Sequence, residues 1–202
     1  MPHDNDMKTG NLREKGRKHM KHSSTFFILV LLFTLCCCGG GGGGGNGQPI
    51  PPSIAVSFTA AKAIPDAMDV SLQKKSQSGD SFTMDVVITG VNNVFSASFD
   101  IVYNSTILDY INYTEGTFLS ENGQVATSFL VSDQTGRLVV GATRLGQVPG
   151  VNAAGNEILM SIAFKAKKAG SSSVSFENNN LLDPTPAPIQ GLEWFGGTAT
   201  AN

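Results

Sequence analysis

VFSASFDIVYNSTILDYINYTEGTFL, residues 94–119, is the stretch that decides the fold. Its first half alternates strictly: Phe95, Ala97, Phe99, Ile101 and Tyr103 fall on one side, and Ser96, Ser98, Asp100 and Val102 on the other. A repeat of two is the signature of a strand with one buried face. Asn104-Ser105-Thr106 breaks the run with turn-forming residues. Residues 107–113 then read as an adjacent strand, closed by Glu115-Gly116-Thr117.

Working outward, the same rhythm recurs on both sides. Upstream, residues 54–59 and 69–74 are short strand candidates. Residues 82–89 alternate, with Phe82, Met84, Val86 and Ile88 inward and Thr83, Asp85, Val87 and Thr89 outward. Downstream, residues 124–132 and 137–145 follow, separated by Asp133-Gln134-Thr135-Gly136. Residues 157–167 put Ile158, Met160, Ile162, Phe164 and Ala166 inward and Leu159, Ser161, Ala163, Lys165 and Lys167 outward. Residues 172–176 form a short strand, 177–188 a polar, proline-rich loop, and 192–201 a closing strand. About nine or ten short strands at regular spacing, with no long amphipathic helix, predict an all-β antiparallel sandwich or barrel.

The N-terminal part has a different character. Residues 26–35, FFILVLLFTL, are too few for a membrane-spanning helix, which needs about twenty apolar residues. They have the size of a signal-peptide core, preceded by the basic residues Lys15, Arg17, Lys18 and Lys21. Met20 would start a more compact signal. Cys36-Cys37-Cys38 follows directly, and Leu35 stands three before Cys38. This resembles a bacterial lipoprotein signal, which implies a lipid on Cys38, with Cys36 and Cys37 as alternatives. Seven glycines and a proline-rich segment then make a tether over residues 39–53, reaching roughly 20 Å. The expected organisation is a signal peptide over 1–38, the tether, and one domain over 54–201. The expected location is the cell envelope after export, in the outer membrane if the cell has two, with contact to membrane through the lipid alone.

Charge separates along the chain. Through Cys38 there are six Lys and Arg against three Asp and Glu, leaving eight against thirteen beyond it. The mildly acidic body argues against a nucleic-acid partner. All three His and all three Cys lie in the first 38 residues. The body therefore has no Ser-His-Asp triad, no Cys nucleophile, no zinc site built on His or Cys, and no internal disulfide. Nothing calls for a cofactor or a catalytic residue, and a non-catalytic binding module is the expectation.

The body also resembles the cohesin domain. The residues that carry the resemblance are Ser78-Gly79-Asp80, Gly90-Val91, Tyr103-Asn104-Ser105 with Leu108, and Gly116 with Leu119. Gly136-Arg137-Leu138 and the Leu159, Ile162, Phe164-Lys165 strand continue it, over about residues 70–200. Tyr103-Asn104-Ser105 stands where cohesins commonly carry Tyr-Asp-Pro. Trp194-Phe195-Gly196-Gly197-Thr198 looks like the close of single-domain, cohesin-like lipoproteins. The resemblance implies a nine-stranded jelly-roll sandwich, kinship to the carbohydrate-binding modules of cellulases, and a protein partner, a calcium-loaded dockerin, in polysaccharide breakdown. It places recognition on the strand matching residues 94–103, with Ser96 and Ser98 where many cohesins have Asn and Asp.

Candidate site residues follow. Ser96, Ser98 and Asp100, with Arg137 and Arg144, form the candidate partner face, since arginine suits bidentate contact with carboxylates. Trp194, Tyr110 and Tyr113 are candidates for stacking on sugar rings, the alternative being ordinary aromatic core. Asp80, Asp85, Asp100 and Asp109 offer oxygen ligands of the calcium type, without EF-hand spacing. Three functions from different classes stay open: a protein-binding module, a polysaccharide-binding module, and a structural envelope lipoprotein.

Overall fold

The computed structural model describes residues 53–202; the expectations for the signal segment, Cys36 to Cys38 and the glycine tether fall outside them. The described chain is all β. Its strands are β1 (Val56–Ala60), β2 (Asp69–Ser78), β3 (Ser81–Thr89), β4 (Ser96–Val102), β5 (Leu108–Glu115) and β6 (Thr127–Asp133). They continue with β7 (Arg137–Arg144), β8 (Asn156–Ala166), β9 (Gly170–Leu182), β10 (Glu193–Phe195) and β11 (Gly197–Ala201). A six-stranded sheet in the order β1-β11-β9-β4-β7-β6 packs on a five-stranded sheet in the order β10-β2-β3-β8-β5.

Alternation builds the layer between the sheets. Phe82, Met84, Val86 and Ile88 of β3 and Met160, Ile162, Phe164 and Ala166 of β8 are buried from one side. Ala97, Phe99 and Ile101 of β4, with Tyr103 just after it, and Leu138, Val140 and Ala142 of β7 meet them from the other. Aromatic rings fill the space in two groups. Phe82 stacks between Phe58 at 5.5 Å and Phe164 at 5.6 Å, and Tyr103 meets Phe164 edge-on at 4.9 Å. Phe99, Phe176 and Trp194 form the second group, 5.0–6.0 Å apart. Burial of such rings is the main source of stability in a sandwich without cross-links.

Four sequence expectations are corrected. The strands on either side of Asn104-Ser105-Thr106 are not hairpin partners: β4 lies in the six-stranded sheet and β5 in the five-stranded one. The turn carries the chain across the sandwich. Asn104 holds it, its side-chain oxygen accepting from Thr106 N and Oγ1 at 2.9 and 2.8 Å, and its carbonyl accepting from Ile107 and Leu108 N.

Leu159 and Ile158 are interchanged relative to simple alternation. Val86 faces Met160 while its neighbour Val87 faces Ile158, so Leu159 is the extra residue of a β-bulge. Leu159 is fully buried and Ile158 is exposed.

Residues 177–182, read as loop, extend β9. Their register with β4 slips between Ser98 and Asp100, where Asn178 takes φ +47. An asparagine tolerates this left-handed backbone better than most residues.

The closing strand is divided. Its first part, β10, runs parallel to β2, with Trp194 beside Val70; after Gly196 the chain crosses to β11 between β1 and β9. A Cβ at Gly196 would lie 2.2 Å from the Val174 carbonyl oxygen, so the crossing needs glycine. The nine or ten strands expected from sequence thus become eleven, with β10–β2 the parallel pair among antiparallel neighbours.

Candidate functional site

The outer surface of β9-β4-β7-β6 is built from three rows. Residues paired across neighbouring strands show their side chains on the same side of a sheet. Ser128, Thr143, Ser96 and Leu182 form one row; Leu130, Gly141, Ser98 and Asn180 the next; Ser132, Val139, Asp100 and Glu177 the third. The middle row is low. Gly141 has no side chain, and a Cβ there would have nothing within 4 Å. Ser98 beside it is exposed, and Leu130 on the outermost strand is 68% exposed. Small and hydroxylated side chains thus surround a shallow centre with one prominent leucine at its rim.

The third row carries the charge. Arg137 Nη1 donates to Asp100 Oδ2 at 2.5 Å and Nη2 to Glu177 Oε2 at 2.5 Å. Asn178 Nδ2 adds a bond to Asp100 Oδ2 at 2.7 Å. Glu177 first, then Asp100, holds the guanidinium above its ordinary pKa. Two carboxylates against one guanidinium leave this end of the face with a formal charge of −1, which favours a basic group on whatever docks there.

The structure brings together Ser96, Ser98, Asp100 and Arg137. Asp100 does lie on the outward side, but it is only 7% exposed because Arg137 and Asn178 close over it. Arg144 does not belong to the face. It shares the inward parity of Leu138, Val140 and Ala142, and it is 2% exposed. Its Nη1 donates to the Leu119 carbonyl at 2.6 Å and its Nη2 to Glu121 Oε2 at 2.5 Å, so it pins residues 119–121 to β7. Sequence reading missed Leu130, Gly141, Val139, Glu177, Asn178 and Asn180. The parity of β7 would have revealed Val139 and Gly141, whereas the β9 residues were hidden by a polar composition resembling a loop.

The aromatic candidates turn inward. Trp194 packs on Phe99 and Phe176, and Tyr110 is half-buried edge-on to Phe164 at 6.2 Å. They sit on β10 and β5, the opposite edges of the five-stranded sheet and so roughly 19 Å apart by strand spacing. Tyr113, also on β5, is likewise packed against the core. These rings do not make one platform for a sugar chain.

The four aspartates considered as calcium ligands are dispersed. Asp80 pairs with Lys165 at 3.3 Å, Asp85 with Lys75 at 3.5 Å, Asp100 with Arg137 and Asp109 with Lys167 at 2.8 Å. A polar cleft of ≈ 290 Å³ lies off the face, lined by Glu121 and Glu157 among others, and Glu121 is already held by Arg144.

The family model described as the cohesin domain matches residues 67–186. Among solved structures, the sixth cohesin of scaffoldin B from Acetivibrio cellulolyticus, in complex with a mutant Cel5 dockerin, is 16% identical with a TM-score of 0.50. That match covers 71% of this chain and 96% of that one. A type II cohesin from the cellulosome of the same organism is 16% identical with a TM-score of 0.50, covering 74% and 95%. A type II cohesin–X-dockerin complex, also from Acetivibrio cellulolyticus, matches at 14% identity and a TM-score of 0.50, covering 70% and 94%. No curated protein matches the chain. The family match spans more than half of the chain, and its jelly-roll sandwich is the fold of the solved cohesins: the chain belongs to the cohesin domain family.

Proposed function

We propose that this protein is a non-catalytic binding module, held on the cell envelope by a lipid on Cys38, that captures a dockerin-type protein on the outer face of β9-β4-β7-β6. The observation that carries the reading is the central row Leu130, Gly141, Ser98 and Asn180. A face with an open centre over Gly141 admits a partner's side chains without displacing any of its own. An exposed leucine beside it gives an apolar anchor, which a polar rim surrounds, as in protein–protein interfaces generally. Family membership supports the partner class, because two of the solved cohesins that share this fold are complexes with dockerins. Polysaccharide breakdown enters as the setting that such a partner would bring. A glycine-rich tether between lipid and domain would leave the face free to reach a partner.

Capture by calcium-loaded dockerin domains tests the partner class. The full chain is expected to bind at least one of a panel of them with micromolar affinity or better, and to release it when calcium is chelated. Failure of every member at micromolar concentration would sink the dockerin reading. Quenching of Trp194 fluorescence by soluble polysaccharide is expected to be absent, since its ring packs on Phe99 and Phe176.

A further inference from the structure

The six-stranded sheet ends in an open strand at β6, which pairs with β7 alone. Gln134 N donates to Arg137 O at one end of this ladder, and Leu145 N to Ala126 O at the other. Antiparallel pairs alternate between bonded and unbonded. Ser128, Leu130 and Ser132 therefore bond to β7, and the N–H and C=O groups of Thr127, Phe129, Val131 and Asp133 point away from it. Among the described residues these groups have no backbone partner.

Open edges are usually guarded by short length, bulges, proline or lysine. The other edges of the two sheets follow that rule in part. β10 has 3 residues, β1 has 5, and β5 carries a bulge between Tyr110 and Asn112 with Asp109 and Glu115 on either side. β6 has 7 residues, TSFLVSD, in unbroken register, with no proline, no lysine and a single charge at its end.

We propose that β6 pairs with β6 of a second copy of this chain, antiparallel, about a twofold axis through Leu130. The strand is complementary to itself in that register and in no other of full length. Thr127 faces Asp133 and Phe129 faces Val131, so every outward-pointing backbone group meets a partner and no like charges oppose each other. A shift by one residue would pair outward-pointing groups with groups already used by β7. A shift by two would leave a pair unmade. Leu130, 68% exposed in the single chain, meets its own copy as an unbonded pair, the closer kind, on the outer surface. Phe129 and Val131, both half-buried, extend the inner layer as an aromatic and β-branched pair. The two six-stranded sheets become one continuous sheet, and their outer faces one surface.

Analytical ultracentrifugation of the full chain tests this by charge exchange at the axis. The chain is expected to associate reversibly into dimers. Leu130→Lys and Leu130→Asp each place like charges opposite each other and are expected to weaken the dimer about tenfold or more. Leu130 is exposed, so neither change disturbs the fold. An equimolar mixture of the two variants is expected to dimerise again. A wild-type chain that stays monomeric to millimolar concentration would overturn the proposal. Association that persists in both single variants would overturn it too, as would a mixture that stays monomeric.

Discussion

Removing the Arg144 guanidinium would leave the buried Leu119 carbonyl without its donor and open a cavity at the end of β7. Arg144→Ala is expected to lower unfolding stability in urea by about 2–4 kcal/mol. Glu121→Gln should cost less than Arg144→Ala, because the amide oxygen can still accept from Arg144 Nη2 and the Leu119 carbonyl keeps its donor. Equal losses would contradict the structural role given to Arg144. Asp183 offers a pH test at the same scale. Its carboxylate accepts first from the Thr185 side chain, then from Ala187 N and Thr185 N, and these bonds lower its pKa. A lowered folded pKa means a contribution fully present above the ordinary Asp value and lost as pH falls through the folded one. In a carboxyl NMR titration, Asp183 should titrate below the ordinary Asp range, and Thr185→Ala should move its midpoint upward. A midpoint that does not move would show that the loop bonds are not made in solution.

Bulges, more than propensities, decide which side chains each strand buries. Leu159→Ser is expected to cost about 2–4 kcal/mol and Ile158→Ser less than about 1 kcal/mol, measured by thermal or urea unfolding. Unbroken alternation along β8 predicts the reverse order, so the pair separates the two readings. The alternation of residues 95–103 and 82–88 was legible because both strands bury one face against the other sheet. Arg144 was misplaced on the partner face because its charge was weighed above its parity with Leu138, Val140 and Ala142, which marks it as inward. The bulge at Leu159 was not legible, because it answers to the register of β3, a partner remote in sequence. The sheet change at Asn104 was equally hidden, since a turn that crosses the sandwich uses the same residues as one that makes a hairpin. The extension of β9 through Asn178-Asn179-Asn180 is held by pairing with β4, which outweighs the weak strand preference of asparagine.

At the scale of the whole molecule, the two sheets have different outer surfaces. On the five-stranded sheet the outward residues Asp85 and Ser161 are buried and bonded to each other at 2.6 Å, with Lys75 Nζ reaching Ser161 Oγ at 2.9 Å. On the six-stranded sheet the rows around Gly141 and Ser98 are open. Strand β4 therefore serves twice, its inward side filling the core and its outward side lying in the middle of the candidate face. The residues that open the face, Gly141 and Leu130, carry no chemical signature in a sequence, since a small residue and an apolar one mark a site only once their neighbours are known. The most direct test is calorimetric titration of a calcium-loaded dockerin, captured as above, into three forms of the chain. Gly141→Arg is expected to weaken binding about a hundredfold or more by filling the open centre, and the backbone accepts the new side chain, since a Cβ there would have nothing within 4 Å. Thr83→Arg, on the outer surface of the five-stranded sheet, is expected to leave the affinity of the unmodified chain unchanged. Binding that survives Gly141→Arg and fails in Thr83→Arg would place the partner on the other sheet and contradict the account.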